Sequence, residues 1–124
     1  MPLFSLARLF KSFKYAFKGI ICALKEEQNF RFQIVAAILI IILMMVFSVS
    51  NTEKVILIIV ISLVLTVELI NSIFERIVDI LKPRVHPYAK KIKDMMAAAV
   101  LVVSLAALAS GLIIFLPKIF EIFR

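Results

Sequence analysis

The 124-residue sequence has no tryptophan, one histidine, one cysteine and two glycines, and each scarcity removes a class of function. With Cys22 alone, no intrachain disulfide can form. With only Gly19 and Gly111, there is no GxxxxGK[ST] loop and no glycine-rich kinase loop to cradle a nucleotide in the manner of soluble phosphotransferases. His86 sits among loop residues beside Pro87 and reads as loop or interface structure rather than as a metal ligand. Acids are also scarce, 8 against 15 basic residues, giving a net charge of +7. The motifs that would place a helix or an aromatic platform on nucleic acid are missing, so that charge does not point to nucleic acid. No small-residue cleavage site follows the first apolar stretch, and no removable signal peptide is expected.

Apolar surface is what the chain has in abundance. Hydrophobic residues make up 64% of it, and the mean hydropathy is +1.11. That composition belongs to one membrane domain rather than to a soluble core. The basic residues flank the apolar runs, which is the pattern of a membrane surface and of positive-inside topology.

Over residues 3–29 the spacing predicts an amphipathic helix. Leu6, Leu9, Phe10, Phe13, Phe17, Ile20, Ile21 and Leu24 recur on one side, with Arg8, Lys11, Lys14, Lys18 and Lys25 opposite. A basic face backed by Phe and Leu suits the headgroup layer and attracts anionic lipid headgroups. Its end is different: Glu26 and Glu27 interrupt the basic run just before the first span, which an ordinary solvated helix end would also explain. Residues 32–52 are uncharged and long enough for a first crossing of a 30 Å core. The last of these residues, Ser48 to Thr52, form a short polar turn, in which Ser50 or Asn51 is placed to cap the next helix. Residues 55–81 form the second span, and residues 95–117 the third, rich in alanine and other small residues that permit close helix contact. Between them a strongly basic connection carries Pro83 and Pro87, which predicts a broken helix and a fresh start.

The second span is not uniformly apolar. Glu68, Asn71, Glu75 and Asp79 interrupt it, and at about 100° per residue the last three lie roughly −60°, −20° and +20° from Glu68, all on one face. An ionisable group inside a membrane helix costs about 2.5–3.5 kcal/mol on insertion scales, so such a stripe faces a bundle interior and marks a functional site. By helical rise, Glu68 lies about 21 Å beyond Lys54 and Asp79 about 16 Å further, at the far interface. The distribution of Lys and Arg sets the N-terminus inside and the C-terminus outside, and the stripe then opens to the cytoplasm beside the basic connection and Glu26-Glu27.

Carboxylates beside lysines at an interface suit phosphoryl transfer, with a carboxylate taking the proton of an acceptor hydroxyl. They suit a proton relay or an ion path in a small transporter equally well. Chemistry alone leaves both open.

The element Glu68-Leu69-Ile70-Asn71-Ser72, with Glu75 and Asp79, then His86-Pro87 and Ala89-Lys90 ahead of Lys93-Asp94 and the alanine-rich span, resembles the prokaryotic membrane-integral diacylglycerol kinase and undecaprenol kinase family. So do Phe13-Lys14-Tyr15-Ala16-Phe17-Lys18-Gly19 and the Glu27, Asn29, Arg31 segment, and the resemblance covers nearly the whole chain. It implies an all-α homotrimer in the bacterial cytoplasmic membrane, a surface helix and three transmembrane helices per chain, using MgATP to phosphorylate undecaprenol or diacylglycerol at the cytoplasmic face. It also implies Glu68 as general base, Glu27 and Glu75 as Mg²⁺ ligands, and Asn71 as the active-site amide. Glu75, Asp79, Lys93 and Asp94 would contact the nucleotide. Two features depart from the family: Ile73-Phe74 stands where a smaller residue and an aliphatic one are usual, and Met96-Ala97-Ala98 lacks the glycine common after Lys-Asp. The run His86-Pro87-Tyr88-Ala89-Lys90 is closer to the undecaprenol branch.

Overall fold

The computed structural model of the chain describes residues 3–124, without the side chains of Pro83, Val85 and His86, so the reading of His86 as a loop side chain lies outside the described residues. Helix α1 (Leu6–Glu26) starts where Ser5, in extended conformation, accepts a hydrogen bond from the Arg8 backbone N–H at 3.4 Å. A serine there satisfies a donor that the first helical turn leaves free. The helix stops at Glu27, whose backbone is extended (φ −112°, ψ 109°). That residue is an elbow. Arg31, one turn into the next helix, donates to the Leu24 and Lys25 carbonyls at 2.8 and 3.0 Å and satisfies oxygens that the end of α1 exposes.

Helix α2 (Gln28–Val46) has 19 residues, a length of about 28 Å, close to one hydrocarbon thickness. Its bounds differ from the expected 32–52 at both ends. The elbow brings the start forward, and at the far end the chain leaves the helix at Phe47 (φ −95°, ψ 150°). Leaving there lets Phe47 and Val49 pack against Leu57, Ile114 and Phe115, with the Phe47 and Phe115 rings 6.1 Å apart at 59°. The polar run that begins at Ser48 marks this end in the sequence as well.

Ser50 then opens α3 (Asn51–Ile122) with a reciprocal cap. Its hydroxyl accepts from the Glu53 N–H at 3.2 Å, and the Glu53 carboxylate accepts from the Ser50 N–H at 3.0 Å. A straight helix of 72 residues would run about 108 Å. This one doubles back: Lys118 reaches Glu53 at 3.2 Å, Leu57 packs on Ile114 and Phe115, and Lys93 reaches Asp79 at 2.7 Å. The reversal therefore falls between Asp79 and Lys93, in the stretch that holds Pro83 and Pro87. The prolines mark the turning point as the sequence predicts, but the chain stays helical through it instead of unwinding into a loop.

The outgoing limb (Asn51–Lys82) and the returning limb (Pro87–Ile122) join α2 as three segments long and apolar enough to cross a membrane. With the amphipathic α1 they make an all-helical chain of four helical segments. The outgoing limb is central, burying the largest share of its residues. Most large apolar side chains point outward, Met45, Val102 and Ile113 among them. A surface this apolar is stable in lipid or against further protein.

Candidate active site

The face of the outgoing limb that turns inward carries Glu68, 1% exposed, with Asn71 and Ser72 at 6% each. One and two turns further on, Glu75 is half-buried and Asp79 exposed. Burial thus falls along the stripe from Glu68 outward, in the order that helical rise predicts. Four residues spaced along one face of the sequence lie on one gradient from protein interior to surface.

Neighbouring elements supply the rest. Gln33 of α2 donates its Nε2 to the Glu68 carboxylate at 3.4 Å. The charges of Glu27 at the elbow and of Glu75 two turns on act on Glu68, and the Asn71 amide stands beside the same carboxylate. Arg76 bridges the acids of the elbow, its guanidinium pairing with Glu26 and with Glu27 at 3.2 Å, while Nη1 lies 3.6 Å from the Cys22 sulfur. At the outer end Lys93 pairs with Asp79 at 2.7 Å and is also near Glu75, and Lys90 pairs with Asp94 at 2.9 Å. Glu27, Glu68, Asn71, Glu75, Asp79 and Lys93 are therefore brought to one side of the bundle. Asp94 engages Lys90 on the returning limb's own surface and stands at the edge of this group.

Three polar atoms in this region are buried with no hydrogen-bond partner among the described residues: Gln33 Oε1, Asn71 Oδ1 and Ser72 Oγ. Each such atom costs about 1–3 kcal/mol. A fold that leaves them unmatched beside a buried carboxylate holds open positions for a polar ligand. A groove between α1 and the outgoing limb reaches one of them, Ser72, and is lined by Gly19, Ala23, Glu27, Ser72, Ile73 and Arg76. Of the two bulky residues that depart from the family pattern, Ile73 forms part of this groove wall and Phe74 is exposed. A second, apolar groove runs from Gln33 between α2 and the two limbs, along Ala36, Ala37, Leu65, Ser104 and Ala107.

No group of three or more His, Cys, Asp or Glu that could hold a metal ion by itself occurs among the described residues. Mg²⁺ does not require one, since it is commonly held by one or two carboxylates together with phosphate oxygens and water. Glu27 and Glu75, the two acids whose charges act on Glu68, are the carboxylates here that could serve in such a set.

Sequence reading missed three participants. Gln33 passes as one amide in an uncharged span, Ser72 as a small residue in the motif, and Arg76 as a neighbour of Glu75. Arg76 carried the detectable signal, being the one basic residue between Val55 and Leu81. Glu26, expected to be solvated, is more than half exposed and nevertheless pairs with Arg76.

Comparison with known proteins adds an independent line. A family model described as prokaryotic diacylglycerol kinase matches residues 14–115. The chain is 38% identical over 114 residues to the undecaprenol kinase of Bacillus subtilis, covering 92% of this chain and 93% of that one. It is 41% identical over 95 residues to a diacylglycerol kinase of Helicobacter pylori, covering 77% and 74%. With the diacylglycerol kinase of Escherichia coli K12 it shares 33% identity over 107 residues, covering 86% and 88%.

Proposed function

Because the chain belongs to the prokaryotic diacylglycerol kinase family and is a membrane lipid kinase that uses ATP, we propose that Glu68 is its general base and that its acceptor is a lipid alcohol, undecaprenol ahead of diacylglycerol. The observation that carries the assignment is the burial of Glu68, 1% exposed and partnered by the Gln33 amide rather than by a cation. A carboxylate left without a counter-charge inside a membrane helix has little structural reason to be there. The proton-relay alternative has no support from the relatives, which are named as kinases.

The acceptor hydroxyl lies against Glu68 and gives up its proton to that carboxylate as its oxygen bonds to the γ-phosphorus. The bond from that phosphorus to the bridging oxygen breaks, and ADP leaves. The open acceptors and donors of Asn71, Ser72 and Gln33 orient the hydroxyl and the transferred group. Glu27 and Glu75 would hold Mg²⁺, which when bound neutralises phosphate charge. Lys93 keeps donors to spare beyond its bond to Asp79, since an ammonium has three, and with Asp94 it faces the nucleotide. Asp79 fixes Lys93 in place.

Topology follows from charge: the N-terminus and the basic reversal lie in the cytoplasm of the bacterial inner membrane, so the site opens to cytoplasmic ATP. The basic face of α1 rests on anionic headgroups. The outward apolar surface and the half-open site suit a homotrimer with neighbouring copies closing each site. Undecaprenol is favoured by the run from His86 to Lys90 and by a relative of that activity matched over nearly the full length of both chains.

Purified protein in lipid vesicles with Mg²⁺ and γ-labelled ATP tests this, given undecaprenol and diacylglycerol side by side. Label passes to undecaprenol faster than to diacylglycerol, and Glu68→Gln removes both products while the oligomer survives. The absence of labelled phospholipid with either alcohol overturns the acceptor reading, and full turnover by Glu68→Gln overturns the base.

A further inference from the structure

Arg76 is conspicuous because the phosphotransfer chemistry above has no use for it. It lies on the outgoing limb one residue past Glu75, yet its side chain turns away from the stripe to the elbow and takes hold of two carboxylates belonging to a different element. Arg31 ties the two helices of the elbow to each other but not to the outgoing limb. Glu27 is extended and forms no side-chain cap on α2, and α1 lies on the bundle through one buried residue, Ala23. Without a cation at this place, the Glu27 charge would act on Glu68 unopposed, and the repulsion would push the elbow away from the limb.

Resting on the assignment of Glu27 as a metal ligand, we propose that Arg76 is a positioning residue for the phosphotransfer, holding the Glu26–Glu27 elbow on the outgoing limb so that Glu27 is presented to Glu68 and Glu75. The guanidinium fork suits this role, because its planar donors reach both acids at once and it stays charged at any pH of interest. Glu26 is the anchor and Glu27 the working group. Arg76 tethers through Glu26 and sets the direction of Glu27 with a weaker contact at 3.2 Å. The elbow thereby becomes part of the site rather than a linker beside it.

Cys22 is a built-in reporter of the clamp. It is the sole cysteine of the chain, half-buried, bonded through sulfur to Glu26 at 3.5 Å and next to Arg76. The experiment uses the full protein in vesicles and measures two quantities in Arg76→Met and Arg76→Lys: the rate at which a maleimide alkylates Cys22, and the Mg²⁺ concentration for half-maximal turnover. Exposed ion pairs are individually weak, so Arg76→Met is expected to raise both by up to about fivefold, with KM for the lipid alcohol unchanged. Arg76→Lys recovers most of both. Glu26→Gln, which leaves Glu27 and Arg76 in place, moves both in the same direction by less and serves if Arg76→Met does not assemble. Unchanged Cys22 reactivity in Arg76→Met overturns the clamp, and faster alkylation with an unmoved Mg²⁺ requirement overturns the positioning role. Glu27→Gln run alongside separates the underlying assignment: if it leaves the Mg²⁺ requirement untouched, the metal role of Glu27 falls and the positioning role of Arg76 falls with it, even where Cys22 still responds.

Discussion

The two ends of the helical hairpin hold polar clusters of similar make-up and opposite finish. At the end with residues 50–54, the half-buried charges are matched: Ser50 and Glu53 cap each other, Lys118 comes from the returning limb to Glu53, and Phe47, Leu57, Ile114 and Phe115 seal the space beneath. At the elbow end, Glu68 has a single amide for a partner while Gln33, Asn71 and Ser72 each bury an unmatched atom. Both ends contain acids, lysines and hydroxyls. What separates structure from site is therefore not which residues are present but whether their hydrogen bonds are complete. A closed cluster stabilises a chain reversal, and an open one waits for a ligand.

The contrast is broken most sharply by removing one carboxylate from each end. Glu68→Gln is expected to lower turnover by about 10²–10⁴-fold, the worth of the general base proposed for it, with the elution volume on size-exclusion in detergent unchanged. Glu53→Gln should leave turnover within about twofold, because its half-buried pair with Lys118 lies at the opposite end from the stripe. Comparable losses in both would erase the distinction. Next in size is Leu57→Ala in the sealed end. Leu57 is 1% exposed against Ile114 and Phe115, and truncating such a side chain costs about 2–5 kcal/mol. Denaturant titration in micelles reads this as a lower midpoint, with specific activity retained below the transition. A loss of activity at full stability would show that the two ends are coupled.

Much of this contrast was legible in the sequence, for reasons of periodicity. Three apolar runs, an amphipathic leader and a stripe at Glu68, Asn71, Glu75 and Asp79 follow from spacing alone, because a helix turns residue number into direction. Direction does not name a partner. Gln33 and Glu68, Arg76 and Glu26, and Glu53 and Lys118 are each tens of positions apart, and periodicity within one segment carries no information on which segment it will meet. The end of α2 was legible as a polar turn at residues 48–52, but not the packing that fixes it: Phe47 and Val49 meet Leu57 about ten positions on and Ile114 and Phe115 more than sixty positions on. The reversal was half legible. Pro83 and Pro87 located it, but the persistence of helical backbone through it depends on how the limbs pack.

The smallest effect gives the cleanest test, because one chemical change is made at both ends with opposite expected signs. Ser50 and Ser72 each present a hydroxyl to a helix of the same hairpin. The Ser50 hydroxyl accepts from the Glu53 N–H, so Ser50→Ala deletes a cap and should cost about 0.5–2 kcal/mol. The Ser72 hydroxyl is buried and unmatched, so Ser72→Ala removes an unpaid desolvation penalty and should leave the ligand-free protein as stable as before or more so, by up to about 1 kcal/mol. Denaturant midpoints of the two variants in the same detergent, without nucleotide or lipid alcohol, measure both signs at once. A loss at Ser72 equal to that at Ser50 would mean that its hydroxyl is already satisfied in the resting protein, and the open end of the hairpin would then be as complete as the sealed one.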